Sequence, residues 1–383
     1  MSRRQALTRL ASAIACGTTP KPAIAGPLRS DGGAANCYGP IFSTTGPNAE
    51  LYGAANGYPV PDVSLARRQG NPWEPKYRVG AFSHLDALYP TRQINRAAKP
   101  WGFQCSFGEV RYRFRGVDYS LSDYMSRNPI TGLLVCKDNQ ILFESYQYGR
   151  TDHDRLVSQS MVKSIMGILI GIAISEGAIK SVDDKAEAYV PGLRGSEFGV
   201  TPIRDLLHML GKTGTVDAIS IDSGVTWSPG LGEGTIRSIV QFNRRIAAPG
   251  TRYHYASIEP DVLGLVLHYA LNRSASQYLH DRVWEPIGAE ADAKWLLDAE
   301  AFELAHFGFN AALRDYARLG RLLAHDGAWD GKQIIPSQWM VEATTVRPSD
   351  AYLLPGKATK LFGYGYLFWL FGGKRRQFAL VRL

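Results

Sequence analysis

Cysteine is scarce, with only Cys16, Cys37, Cys105 and Cys136 in 383 residues. If the first 25 residues are removed, as argued below, three remain, an odd number that cannot complete a disulfide framework, so the cysteines are read as packing residues. Long apolar runs are also missing. The longest, Ile165 to Ile174, falls well short of the about 20 residues that cross a bilayer, so no membrane span is expected and the mature chain reads as soluble. No His-Glu-x-x-His or other ligand-spaced histidine pair occurs, so no metal is expected, and His153 in "TDHDR" reads as a solvated loop residue. Basic runs, zinc-finger spacing and interleaved aromatic and basic residues are absent, so no nucleic-acid partner is implied. The formal charge of +8 does not restore one: residues 1–25 carry Arg3, Arg4, Arg9 and Lys21 and no acid, and without them 39 basic residues face 35 acidic ones.

What is present describes a folded protein. A hydrophobic content of 45% and a charged content of 20% suit one large domain or two. The opening "MSRRQALTRLASAIACG" joins paired arginines to a short apolar stretch, and "KPAIAG" supplies a small-x-small pattern ending at Ala25. Residues 1–25 are therefore expected to be an export signal of twin-arginine type, placing the mature chain in the periplasm or outside the cell. An ordinary amphipathic start on a cytoplasmic protein is the alternative. Residues 26–80, rich in Gly, Pro, Asn and Ser, are expected to form an irregular arm.

Two β-rich runs in "ITGLLVCKDNQILFESYQYG" flank Asp138-Asn139, a hairpin signature. "SQSMVKSIMGILIGIAISEG" follows and predicts a helix from about Ser160 to Gly177, apolar nearly all round and hence buried. "TPIRDLLHML", "SIEPDVLGLVLHYAL", "SASQYLHDRVW", "NAALRDYARLGRLLAHDG" and "PSQWMVEAT" predict further helices, and "GYGYLFWLFGGKRRQFALVRL" returns to paired strands. The order implies an α+β fold. Its antiparallel sheet is built from both chain ends, about 110–150 and 361–383, its helical lobe spans about 160–345, and a cleft lies between them.

Ser160 and Lys163 sit three apart, on one face of the predicted helix, so the lysine nitrogen can reach the serine hydroxyl. A lysine pressed into an apolar interior loses solvation and can take up a proton near neutral pH, which is what a serine nucleophile requires. The bland reading is a helix cap and a snorkelling surface lysine. A helix N-terminus at Ser160 also offers amide donors and partial positive charge for an oxyanion. A second element, "PGTRYHYASIEPDVLG", places Tyr255 two residues before Ser257, a phenol that can relay protons and a short polar side chain; Tyr253 is the adjacent competitor.

Taken together, in this order, these segments resemble the serine hydrolases of the class C β-lactamase and penicillin-binding-protein fold, and within them the 6-aminohexanoate-dimer hydrolase branch, which also contains esterases. The resemblance covers roughly residues 120–383, and residues 81–383 are taken as that domain. "SMVKS" matches the family's Ser-x-x-Lys motif, which implies that Ser160 is the nucleophile and Lys163 the base. The Tyr255 segment matches the second motif, which implies a proton relay at Tyr255 and a substrate contact at Ser257, where penicillin-recognising members carry asparagine. Lys212, Thr213 and Gly214 spell the third motif but precede Tyr255, so they are assigned to a loop on the cleft rim. The resemblance further implies a closing strand and terminal helix beyond Leu383.

The implied activity is hydrolysis of a small linear amide or ester through an acyl-enzyme, without a cofactor. A β-lactamase or D-alanyl-D-alanine carboxypeptidase is the alternative, and a catalytically silent binding protein a third. A Ser-His-Asp hydrolase of the α/β type is disfavoured because no Gly-x-Ser-x-Gly turn is present. "GLGEG" at residues 230–234 lacks a framing strand and helix and reads as a loop. The oligomeric state, a homodimer included, is left open by the sequence.

Overall fold

One helix, Val162–Ser175, is buried over twelve consecutive residues, Val162 to Ala173. Apolar side chains on every face leave it no stable place except the centre of the molecule. The computed structural model describes residues 39–61, 74–210, 235–241, 245 and 248–381, together with the backbone of Ala13–Gly17. Within the main core this helix packs with Ile258–Leu271, and with the C-terminal residues Tyr366, Leu367 and Phe368. Two contacts fasten it there: Ser164 Oγ donates to the Leu367 carbonyl at 2.5 Å, and the Trp339 indole donates to the Gly167 carbonyl at 3.1 Å. Gly171 makes the second possible, since a Cβ at that position would lie 2.2 Å from the Trp339 ring nitrogen.

Strands surround this centre in several antiparallel ladders. The expected hairpin forms from Gly132–Lys137 and Gln140–Tyr146, turning at Asp138, whose φ is 53°. The C-terminal sheet runs in the order Ala13–Gly17, Gln377–Val381, Trp369–Phe371, Phe362–Tyr364, with Ala13 opposite Val381. It therefore draws on both chain ends, and Ala13–Gly17 is the only described part of the stretch read as an export signal. Among the described residues, 110–150 and 361–381 do not share one ladder. Gln140–Tyr146 has one edge on Gly132–Lys137 and pairs in parallel with the two-residue strands Ile41–Phe42 and Gln104–Cys105 on the other, so this strand itself offers the C-terminal strands no edge. A third sheet orders Thr91–Ile94, Ala293–Leu296, Phe309–Ala312 and Arg155–Val157. Cys136 is half-buried, whereas Cys105 is exposed and does not pack as expected.

The helical lobe follows the sequence reading closely, with Ile203–Leu207, Ala275–Leu279, Leu313–Ala324 and Ser337–Ala343 as its remaining α-helices in the predicted segments. Leu313–Ala324 is locked in place by charge as well as by apolar burial. Arg314 forks onto Glu144 of the hairpin at 2.9 and 3.0 Å, and Arg318 pairs with Asp315 at 2.8 Å and Glu290 at 2.7 Å while donating to the Trp101 carbonyl. Among the described residues no helix is long and apolar enough to cross a membrane.

Beside the helix Ile203–Leu207, His208 is buried with its ring 4.6 Å from that of Tyr366. Burial, opposed by Asp350 and reinforced by Arg347 and Arg204, pushes its pKa from 6.5 down to about 3. The folded chain thus keeps a neutral imidazole where the unfolded chain takes up a proton below pH 6.5. This group leaves stability unchanged above pH 6.5 and removes up to about 1.4 kcal/mol per pH unit as the pH falls from 6.5 toward 3. Thermal melts at several acidic pH values should show a steeper loss for the wild type than for His208→Gln, and parallel slopes would refute the assignment.

Candidate active site

The site is built where the strand Arg155–Val157 gives way to the central helix. Ser158 ends the strand by donating its amide to the Phe309 carbonyl at 2.7 Å. Gln159 then takes φ 49°, in the left-handed region that a side chain occupies at a cost of about 1 kcal/mol or more. It is also buried. This reversal starts a short 3-10 turn, Gln159–Met161, which runs directly into the helix and carries Ser160, half-buried, at its N-terminal end. Sequence reasoning did not find the strained residue, because glutamine is not a residue that marks left-handed turns.

Lys163 stands one turn further on and is 1% exposed. Its Nζ lies 2.9 Å from Ser160 Oγ and donates to the His306 carbonyl at 2.8 Å. The snorkelling alternative is therefore excluded: the lysine points inward, against the serine. The amine also stands over the Tyr255 ring, whose centroid is 5.0 Å from Nζ. Ser160, Lys163 and Tyr255 thus converge, although 92 residues separate Lys163 from Tyr255 in the chain.

Tyr255 rather than Tyr253 faces the amine. Tyr253 packs against Tyr364 at 5.1 Å and its hydroxyl has no hydrogen-bond partner among the described residues. Burial, with Tyr255 and Glu259 nearby, pushes the Tyr253 hydroxyl well up from 10, and burial does the same at Tyr364, so both stay protonated at any physiological pH. Tyr255 is half-buried, with its ring 5.3 Å from that of Trp369 and edge-on to Tyr364 at 6.0 Å. Trp369 belongs to the C-terminal sheet, so sheet and helical lobe both contribute walls. Ser257, expected to meet a substrate, occupies the N-cap position of Ile258–Leu271 and is 3% exposed. Lys212, Thr213, Gly214 and the 230–234 glycine segment lie outside the described residues.

An amine held against a serine hydroxyl, with a tyrosine beside it and a helix N-terminus beneath, can accept the hydroxyl proton and support attack on a carbonyl carbon. His306, which supplies the carbonyl that holds Lys163, was not singled out from the sequence. A backbone acceptor leaves no trace in residue type.

Comparisons with known proteins bear on the family and the fold. Residues 121–378 match the family described as Beta-lactamase. A 6-aminohexanoate-dimer hydrolase of Paenarthrobacter ureafaciens is 27% identical over 320 residues, covering 78% of this chain and 76% of that protein. A solved structure from Bacillus anthracis that carries the same enzyme name superposes with a TM-score of 0.71 at 19% identity, covering 81% of this chain and 89% of the other. A penicillin binding protein from Bacillus halodurans superposes at 0.50 with 13% identity, over 65% of this chain and 89% of its own. These two structures bear on the fold, which is the mixed helix-and-sheet arrangement expected. The family match takes in well over half of the chain, from the helix at Leu121 through both halves of the Ser160–Tyr255 site to the last strand, and on that footing the chain belongs to the beta-lactamase family.

Proposed function

We propose that this protein hydrolyses linear amides or carboxylic esters through an acyl-enzyme formed on Ser160. The observation that carries the reading is the placement of a buried lysine nitrogen 2.9 Å from the serine oxygen. In the amine form, Lys163 gives one N–H to the His306 carbonyl and accepts the Ser160 proton through its lone pair. Ser160 Oγ bonds to the substrate carbonyl carbon, and the resulting oxyanion is stabilised at the helix N-terminus. Tyr255 delivers a proton to the leaving nitrogen or oxygen as the carbon–leaving-group bond breaks, and is itself reprotonated from Lys163. Water repeats the sequence to release the acid and free Ser160.

The amide preference is supported by likeness to the Paenarthrobacter 6-aminohexanoate-dimer hydrolase. Ser257 is assigned to the polar wall next to Tyr255, where a substrate amide would lie. The chemistry needs no cofactor. Incubation with a serine-directed fluorophosphonate, followed by peptide mass spectrometry, should give a single adduct on Ser160. Tyr255→Phe should still be labelled but turn over a p-nitrophenyl ester more slowly, by about 10²-fold or more. A folded wild-type chain without an adduct would defeat the reading and leave a silent binding protein in its place.

A further inference from the structure

An amine that acts as a base must aim one lone pair, and it can do so only if its N–H bonds are held elsewhere. In this site the holding group is the His306 carbonyl, 2.8 Å from Lys163 Nζ. It belongs to a turn that leads from Leu304 to the strand Phe309–Ala312, closed by Gly308 at φ 90°. A turn of this kind does not fix a carbonyl direction unless something pins it.

Asp261 pins it. The carboxylate lies on the helix Ile258–Leu271, and its Oδ1 accepts from the His306 backbone N–H at 3.2 Å. The His306 ring nitrogen Nδ1 stands 3.0 Å from Oδ1 and 2.8 Å from Oδ2. A carboxylate beside Nδ1 selects the tautomer in which Nδ1 carries the proton and donates it. His306 Nε2 has no hydrogen-bond partner among the described residues, so the ring acts through Nδ1. Asp261 and His306 are each 3% exposed, out of reach of the water that would otherwise compete for these bonds.

We propose that Asp261 and His306 form a clamp that positions Lys163 for proton transfer with Ser160, a role that rests on the hydrolase reading above. The carboxylate closes a two-point ring with a single residue and so fixes the peptide that carries the acceptor carbonyl. It also lies on the helix that follows Tyr255 directly, so one group sets the acceptor and relay elements relative to each other. Neither side chain touches the reacting atoms, and both are positioning residues.

The test uses the full chain, a p-nitrophenyl ester and the fluorophosphonate probe. Asp261→Ala should slow Ser160 labelling and kcat by about 10- to 100-fold while KM stays within about threefold. Asp261→Asn should recover most of the loss, because one amide oxygen can accept both His306 donors. His306→Asn, whose amide nitrogen stands near the place of Nδ1, should likewise outperform His306→Ala, which keeps the carbonyl and loses the anchor. A purely structural role would give no such pairing of loss and rescue in kcat at constant KM. If Asp261→Ala does not fold, as judged by circular dichroism, the His306 pair decides. Equal rates for His306→Ala and the wild type, or a folded Asp261→Ala that labels like the wild type, would overturn the clamp. A wild-type chain that forms no Ser160 adduct overturns the hydrolase reading and the clamp together, whereas normal labelling in every clamp variant overturns the clamp alone.

Discussion

Replacing Lys163 with methionine should lower acylation of Ser160 by on the order of 10³- to 10⁴-fold, and replacing Ser160 with alanine should remove turnover altogether. The proposed chemistry gives the lysine no substitute. Its amine is the group within 3 Å of the serine oxygen, and the tyrosine beside it presents its ring to the nitrogen. Methionine keeps the length and apolar stem of the side chain, so the twelve-residue buried stretch of the helix stays filled and folding should survive. Removing a buried amine can even stabilise the chain, since its desolvation cost goes with it. The combination to look for is an unchanged or raised melting temperature with lost labelling. Retained labelling in Lys163→Met would show that another group takes the proton and would sink the Ser-Lys assignment.

The largest effect on stability is expected far from that chemistry, at Arg318. Its guanidinium is 1% exposed and holds Asp315, whose side chain is fully buried, together with Glu290 and the Trp101 carbonyl. Burial pushes Asp315 up to about 6 although Arg318 acts to lower it. Arg318→Met should therefore cost about 3–5 kcal/mol at neutral pH by leaving a buried carboxylate without its cation. The sign with pH follows from the raised value. Asp315 is ionised in the fold above about pH 6 and protonated below it, so the gap between variant and wild type should be widest above pH 6 and shrink as the pH falls through it. Urea melts above and below pH 6 measure the gap, and a gap that stays constant would place the loss in packing rather than in charge. Asp315→Asn added to the variant should recover part of the loss, because the amide oxygen can still accept from the Glu290 or Ala291 backbone N–H.

Legibility in the sequence followed the range of the interaction. Ser160 and Lys163 are three residues apart and their meeting is set by helical geometry alone, so residue types and spacing sufficed. The buried central helix and the Asp138 hairpin are likewise local patterns, of all-round apolarity and of turn chemistry. The Asp261–His306 pair spans 45 residues and the Lys163–His306 bond 143, and neither has a local signature. The sheet divisions were lost for a related reason. Ile41–Phe42 and Gln104–Cys105 are two-residue strands, too short for a period-2 pattern, yet they take the edge of Gln140–Tyr146 that would otherwise be open. The segment "SASQYLHDRVW" reads as one helix, but after Leu279 it widens into a π-helix over His280–Trp284, a change of hydrogen-bond register that composition does not announce.

Because Ser160 stands at the head of the most deeply enclosed helix, its surroundings cannot loosen independently of the rest of the protein. Amides of residues 162–173 are buried, so their hydrogen exchange should belong to the slowest class, set by global unfolding. The proposed nucleophile is thus anchored in the part of the molecule expected to melt last, and heat should erode substrate-facing walls before it disorders the serine and its lysine.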